Sequence, residues 1–213
     1  MNQTATVNTQ NQEGTISTTK KTVFIGILGA VSFVLMLINF ALPFAPGFLK
    51  FDIADLPALF AGFFMGPLAG FLVIVVKLLL KLTIQGTETA FVGEFSNLVG
   101  SAVFVLTSAL IYKKNKTKKG AIIGMLTASA AVSILLIFIN AYVMFPLYSN
   151  LSGLPLDVII GMGTAINPHI TNLTGLMLFS VVPFNLCKHL VTSLLTFLVY
   201  KRAGRALRSI LYT

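Results

Sequence analysis

The sequence predicts an all-α integral membrane protein, a six-transmembrane-helix bundle with its N- and C-termini cytoplasmic. Three observations lead there. Charged residues are 10% of the 213 and the apolar set AVILMFWYC 56%, against roughly 25% charged in soluble proteins. Mean hydropathy is +0.91. The apolar stretches are also continuous and lack the alternation that a transmembrane barrel requires. Fifteen basic and six acidic side chains cannot cover a water-soluble surface, whereas about 20 residues per span leaves room for roughly five to seven crossings.

Taken in order, residues 1–19 hold Asn, Gln, Thr and Ser with one acid, which reads as a disordered cytoplasmic tail. Lys20 and Lys21 precede the first span at 22–41, which Pro43 and Pro46 end. That run is too long for a signal-peptide core, and no Ala-x-Ala follows it. A loop at 44–52 carries Gly47, Lys50 and Asp52. Residues 54–65 are helical but only about 18 Å long, too short to cross alone. Gly66 and Pro67 break that helix, and 68–82 forms a second short one. Long apolar segments follow at 90–112, 120–146 and 171–200. Residues 147–170, rich in Gly, Pro, Asn and Ser, read as a substantial loop or a partial re-entrant. The membrane domain thus covers 20–208, with 209–213 as a C-terminal tail.

Charge placement sets the helix count. Eleven of the fifteen basic residues lie at Lys20 and Lys21, within 113–119, and within 201–208. Positive-inside bias wants all three groups on the cytoplasmic face. Six helices put them there, whereas merging 54–82 into one helix would place the 113–119 lysines outside. Asp52, Asp55, Glu88 and Asp157 then belong to the outer half. The net charge of +9 is therefore a topology signal, and a nucleic-acid partner is not expected. One cysteine, Cys187, excludes an internal disulfide and a cysteine-rich metal site.

Ionisable residues inside a span cost about 2.5–3.5 kcal/mol on insertion scales and mark function by default. Lys188 is the clearest case. It lies 13 residues before Lys201, roughly 20 Å along a helix, and cannot snorkel easily to the inner face. Asn185 shares its helical face, so an ammonium and an amide point into one cavity. The bland alternative is a structural lysine bonded to carbonyls or to an acid on a neighbouring helix. Asn140, within the fifth helix, suits a ligand edge or a helix–helix contact equally. Glu94 and Asn97 form an i, i+3 pair near Lys77 and Lys81 by topology, which reads at least as well as an internal ion pair. Asp52 and Asp55 read as caps on the positive end of the second helix. Small residues recur at four-residue spacing at Gly26/Ala30, Gly62/Gly66/Gly70 and Gly120/Gly124/Ala128, permitting close backbone approach within the bundle or against a partner. No zincin, nucleophile-elbow or Walker signature occurs. Uphill transport would thus need another subunit or an ion gradient.

The run from Lys50 to Gly70 (Lys-Phe-Asp-Ile-Ala-Asp-Leu-Pro-Ala-Leu-Phe-Ala-Gly-Phe-Phe-Met-Gly-Pro-Leu-Ala-Gly), then Gly-Glu-Phe-Ser-Asn over 93–97 with Gly100, resembles the substrate-binding S components of energy-coupling factor vitamin transporters. The resemblance covers most of residues 22–205. Asn140 and Pro-Phe-Asn-Leu-Cys-Lys over 183–188 point within that family to its riboflavin-specific branch. The resemblance implies a bacterial multi-pass membrane protein, not an enzyme, with a loop after helix 1 closing over bound vitamin. It implies a transmembrane scaffold subunit and two cytoplasmic ATPases as partners, and no resident cofactor. Family members dock the scaffold through small residues on helix 1, often Ala-x-x-x-Ala, matched here by Gly26 and Ala30.

The residues suit such a ligand independently. A flavin joins an apolar ring system to a pyrimidine-like edge and a polyhydroxyl chain. Asn140 and Asn185 offer paired donors and acceptors for the edge, and Lys188 and the backbone of Leu49 and Lys50 offer donors for the chain. The expected ligand-binding set is Leu49, Lys50, Asn97, Asn140, Asn185 and Lys188, with no catalytic or metal site. Where family members often carry a small hydroxyl residue near position 50, this chain has Lys50, so only its backbone is carried over. Other readings stay open: pantothenate, an anion suited to Lys188; thiamine, which as a cation would want acids or an aromatic cage; ion-driven transport by this chain alone; and a lipid-processing enzyme using Asp52 and Asp55.

Overall fold

The computed structural model describes residues 17–211, apart from 152 and 154. Sequence positions 1–16 and 212–213 lie outside that range, and with them nearly all of the expected N-terminal tail. Helix α1 (Thr18–Leu37) leads into a two-stranded hairpin, β1 (Phe40–Ala41) and β2 (Lys50–Phe51). These strands are antiparallel, with Phe40 opposite Phe51 and Ala41 opposite Lys50. Then come α2 (Asp55–Met65), α3 (Pro67–Ile84), α4 (Val92–Lys114) and α5 (Lys118–Ile139). A π-helical turn, Asn140–Met144, joins α5 to α6 (Phe145–Leu151), and α7 (Leu156–Thr164) follows. Last, α8 (Leu173–Leu176) and a second π turn, Met177–Val181, lead into α9 (Val182–Leu211).

Five helical stretches among the described residues are long and apolar enough to span a bilayer. They are Thr18–Leu37, Pro67–Ile84, Val92–Lys114, Lys118–Leu151 and Leu173–Arg202, with Asp55–Met65 a shorter apolar helix between the first two. The break between α2 and α3 falls at Gly66, whose φ of 100° is open to glycine at no steric cost. Pro67 then starts α3 where its missing N–H costs nothing. Two expectations on length change. Helix α3 has 18 residues, about 27 Å at 1.5 Å each, and is not short. Helix α9 runs on past 208 to Leu211. The expected loop at 147–170 is largely helical, holding the end of α6 and all of α7.

The main core lies between α2, α3, α4 and α5, around Leu59, Ile74, Phe104, Val105 and Met125. Glycines let these helices approach. A Cβ on Gly70 would stand 2.7 Å from Val105 Cγ1, 2.8 Å from the Ala58 carbonyl oxygen and 3.0 Å from Gly62 Cα. One on Gly124 would meet the Ser108 carbonyl oxygen at 2.7 Å. By contrast Gly26 has nothing within 4 Å, and both Gly26 and Ala30 are exposed on the outer side of α1. The helix 1 glycine that packs inward is Gly29, against Val76. Gly70→Ala is therefore expected to destabilise by about 1–3 kcal/mol through overpacking, lowering the melting temperature in detergent, while Gly26→Ala leaves it unchanged or raises it. Equal melting of the two variants would contradict the packing described.

Candidate functional site: a polar cavity beneath the hairpin

Under the hairpin lies a cavity of about 120 Å³. An outer cavity of about 600 Å³ shares Phe48, Lys50, Gly93, Asn97 and Tyr148 with it. The hairpin is the roof. Phe48 meets Phe145 edge-on at 6.1 Å, and Ala45 and Phe51 pack with Phe184. Ser32 on α1 donates to the Ala54 carbonyl, fixing the chain where the roof passes into α2.

All six residues expected to hold a ligand, Leu49, Lys50, Asn97, Asn140, Asn185 and Lys188, line the inner cavity. They come from the hairpin, α4, the first π turn and α9. The two buried asparagines are set alike. Asn140 opens the first π turn and donates from Nδ2 to the Leu136 carbonyl at 2.7 Å. Asn185 donates to the carbonyl of Val181, last residue of the second π turn, at 2.8 Å. One amide hydrogen of each thus goes to its own helix, leaving a carbonyl oxygen and a second N–H for the cavity. π turns inside long helices recur where side chains must be re-aimed at a functional site.

Lys188 is bonded to an acid, as in the bland alternative, but one that lies between β2 and α2 and not on a neighbouring helix. Its Nζ donates to Asp52 Oδ2 at 2.8 Å, with the side chains 10% and 5% exposed. Asp55 faces Lys77 at 2.8 Å and accepts from Ser101 Oγ at 2.7 Å. This corrects the reading of both acids as helix caps: no side chain caps α2, although Asp52 Oδ1 accepts from the Ala54 N–H at 3.0 Å. It also removes the basis for a lipid-processing enzyme, because both carboxylates are buried and already neutralised. Glu94 is an internal ion pair with Lys81 and also accepts from Thr87 and Thr89. At the rim, Lys50 Nζ approaches Glu88 at 3.5 Å, an exposed pair.

Sequence reasoning missed several wall residues: Asp55, Ser96, Ser101, Phe145, Tyr148, Phe184 and His189. His189 had a signal. It lies four residues beyond Asn185, on the same face, and its Nδ1 donates to the Asn185 carbonyl at 2.6 Å while the ring meets Phe104 at 4.5 Å. Tyr148 had none, since it falls in a stretch that read as loop. The wall therefore combines three amides, two ion-paired ammoniums and aromatic faces, suited to a flat ligand with a polar edge. The hydroxyl–carboxylate contact among these wall residues, Ser101 with Asp55, involves a carboxylate already paired with Lys77.

Comparison with known proteins gives a consistent picture. Residues 20–200 match the family model described as the substrate-specific component of ECF transporters. Riboflavin transporter RibU of Staphylococcus aureus is 34% identical over 191 residues, covering 90% of this chain and 94% of that one. Riboflavin transporter FmnP of Bacillus subtilis is 32% identical over 182 residues, covering 85% and 90%. A solved structure described as the S component of a bacterial ECF transporter superposes with a TM-score of 0.70 at 33% identity, covering 90% of this chain and 99% of that one.

Proposed function

The chain belongs to the substrate-specific components of energy-coupling factor transporters, and from that premise we propose that it captures riboflavin from outside the cell. It hands the vitamin on through a transmembrane scaffold subunit and two cytoplasmic ATPases. It is a multi-pass protein of the bacterial membrane and a binding subunit, not an enzyme. The convergence of Asn140, Asn185 and Lys188 on one aromatic-walled cavity carries the reading. The flavin's pyrimidine edge, with its carbonyls and its N–H, pairs with the two amides. Phe48, Phe145, Tyr148 and Phe184 face the ring system. The backbone of Leu49 and Lys50, with Asn97, serves the polyhydroxyl chain toward the outer cavity.

The chain crosses six times in this reading, α2 being a short second crossing, with both termini cytoplasmic. Support comes from the basic groups at Lys20 and Lys21, within 113–119 and within 201–208, which that topology collects on one side. The exposed Gly26 and Ala30 on α1 are the docking face for the scaffold. Anionic pantothenate fits less well than neutral riboflavin, because the two cations on the inner wall, Lys50 and Lys188, already face carboxylates.

Protein purified in detergent from cells grown in rich medium is expected to be yellow. Its spectrum should show a flavin absorption pair near one equivalent, released on denaturation. Colourless protein that also fails to quench added riboflavin fluorescence would overturn the assignment, and pantothenate would be tried next.

A further inference from the structure

Asp52 occupies a junction that the vitamin-binding reading leaves unused. It directly follows β2, so it is the root of the hairpin that roofs the cavity. Both of its carboxylate oxygens are committed, Oδ1 to the Ala54 N–H at 3.0 Å and Oδ2 to Lys188 Nζ at 2.8 Å. The first bond fixes the carboxylate against the start of α2. The second reaches across 136 residues of sequence to α9. Of the described acids near the cavity, Asp55 is occupied by Lys77 and Ser101, and Glu94 by Lys81, Thr87 and Thr89.

An ion pair in so dry a place is poor evidence of a stability device, because apolar side chains of similar volume often do as well or better. Its position carries more information. An ammonium has three hydrogens, and Asp52 takes one of them from the side of the roof. The ammonium also lines the cavity, beside Asn185, with hydrogens beyond the one given to Asp52 to offer an occupant. We propose that Asp52 is a positioning residue for the ligand: it aims the Lys188 ammonium into the cavity and fastens the root of the roof to that same group. One cation then holds both the occupant and its cover. Opening the hairpin to release the occupant pulls on the group that binds it. The proposal rests on Lys188 being a ligand group, as argued above.

The test is a double-mutant cycle on the full chain in detergent, with riboflavin binding and release followed by stopped-flow fluorescence. The variants are Asp52→Asn, Asp52→Glu, Lys188→Met and the double Asp52→Asn/Lys188→Met. Asp52→Asn is expected to speed release at least about tenfold while changing association less than about threefold, since affinity changes at one site lie mostly in dissociation. Asp52→Glu, which keeps the charge, recovers part of the loss. In the Lys188→Met background Asp52→Asn adds less than about twofold, because its effect runs through the missing ammonium. Wild-type release from Asp52→Asn overturns the proposal, and so does an undiminished Asp52→Asn effect in the Lys188→Met background, which would mark a role in the fold alone. Should Asp52→Asn not survive purification, Asp52→Glu decides: slower than wild-type release or none of the loss counts against the proposal. Wild-type affinity in Lys188→Met is a separate failure, of the reading of Lys188 as a ligand group.

Discussion

Asn140→Ala and Asn185→Ala are each expected to weaken riboflavin binding by about 10- to 100-fold, from a polar ligand edge left unpaired at roughly 1–3 kcal/mol. Together they should reach as much as about 10⁴-fold, short of that to the degree that both act on one edge of one ligand. Each amide spends one hydrogen on its own helix, so what alanine removes from the cavity is a carbonyl oxygen and one N–H. Fluorescence-quenching titration of the purified variants gives the numbers. Two single variants that bind like the wild type would show that the flavin edge points elsewhere.

Lys77→Met should produce the largest loss of stability. Lys77 and Asp55 are 1% and 3% exposed and 2.8 Å apart. Taking away the ammonium leaves a buried carboxylate with the Ser101 hydroxyl and the Lys188 charge, itself paired with Asp52, a loss of about 3–5 kcal/mol. Replacing both partners, Lys77→Met with Asp55→Leu, should recover most of it, since the cost of drying the two ions disappears with them. Thermal melts of detergent-solubilised protein separate the cases. A Lys77→Met melt indistinguishable from wild type would mean that water reaches the pair.

The sequence readings that held rest on local rules, and the ion-pair readings that changed concern partners distant in the chain. The split between α2 and α3 was legible because Gly66 and Pro67 act within one turn of themselves. Lys188 was legible as out of place because depth along a helix follows from counting to Lys201. Its partner was not, since nothing local to Asp52 says that a residue 136 positions away will face it. Asp55 misled for the same reason. A carboxylate opening a helix looks like a cap, and only the packing of α3 against α2 brings Lys77 to it. The internal pairing of Glu94 with Lys81 was within reach because a short α3–α4 connection leaves few alternatives. The π turns had no signal at all, being a matter of one residue's register within runs that read as plain apolar helix. The helices within 147–170 were hidden by composition, because Gly, Pro, Asn and Ser there sit at helix ends as well as in turns.

The ion pairs inside the bundle have an electrical consequence. Asp52 with Lys188, Asp55 with Lys77 and Glu94 with Lys81 are three acids matched to three bases. Each pair sums to zero whether its proton rests on nitrogen or on oxygen. A single unmatched charge carried across the bilayer would exchange about 2.3 kcal/mol with the field for every 100 mV. These six side chains, moved together with a neutral vitamin between them, carry no net charge through that field and couple to it only through the short dipoles of the pairs. These pairs carry no net charge, and a bundle built this way changes its orientation in an energised membrane with little help or hindrance from voltage through these groups.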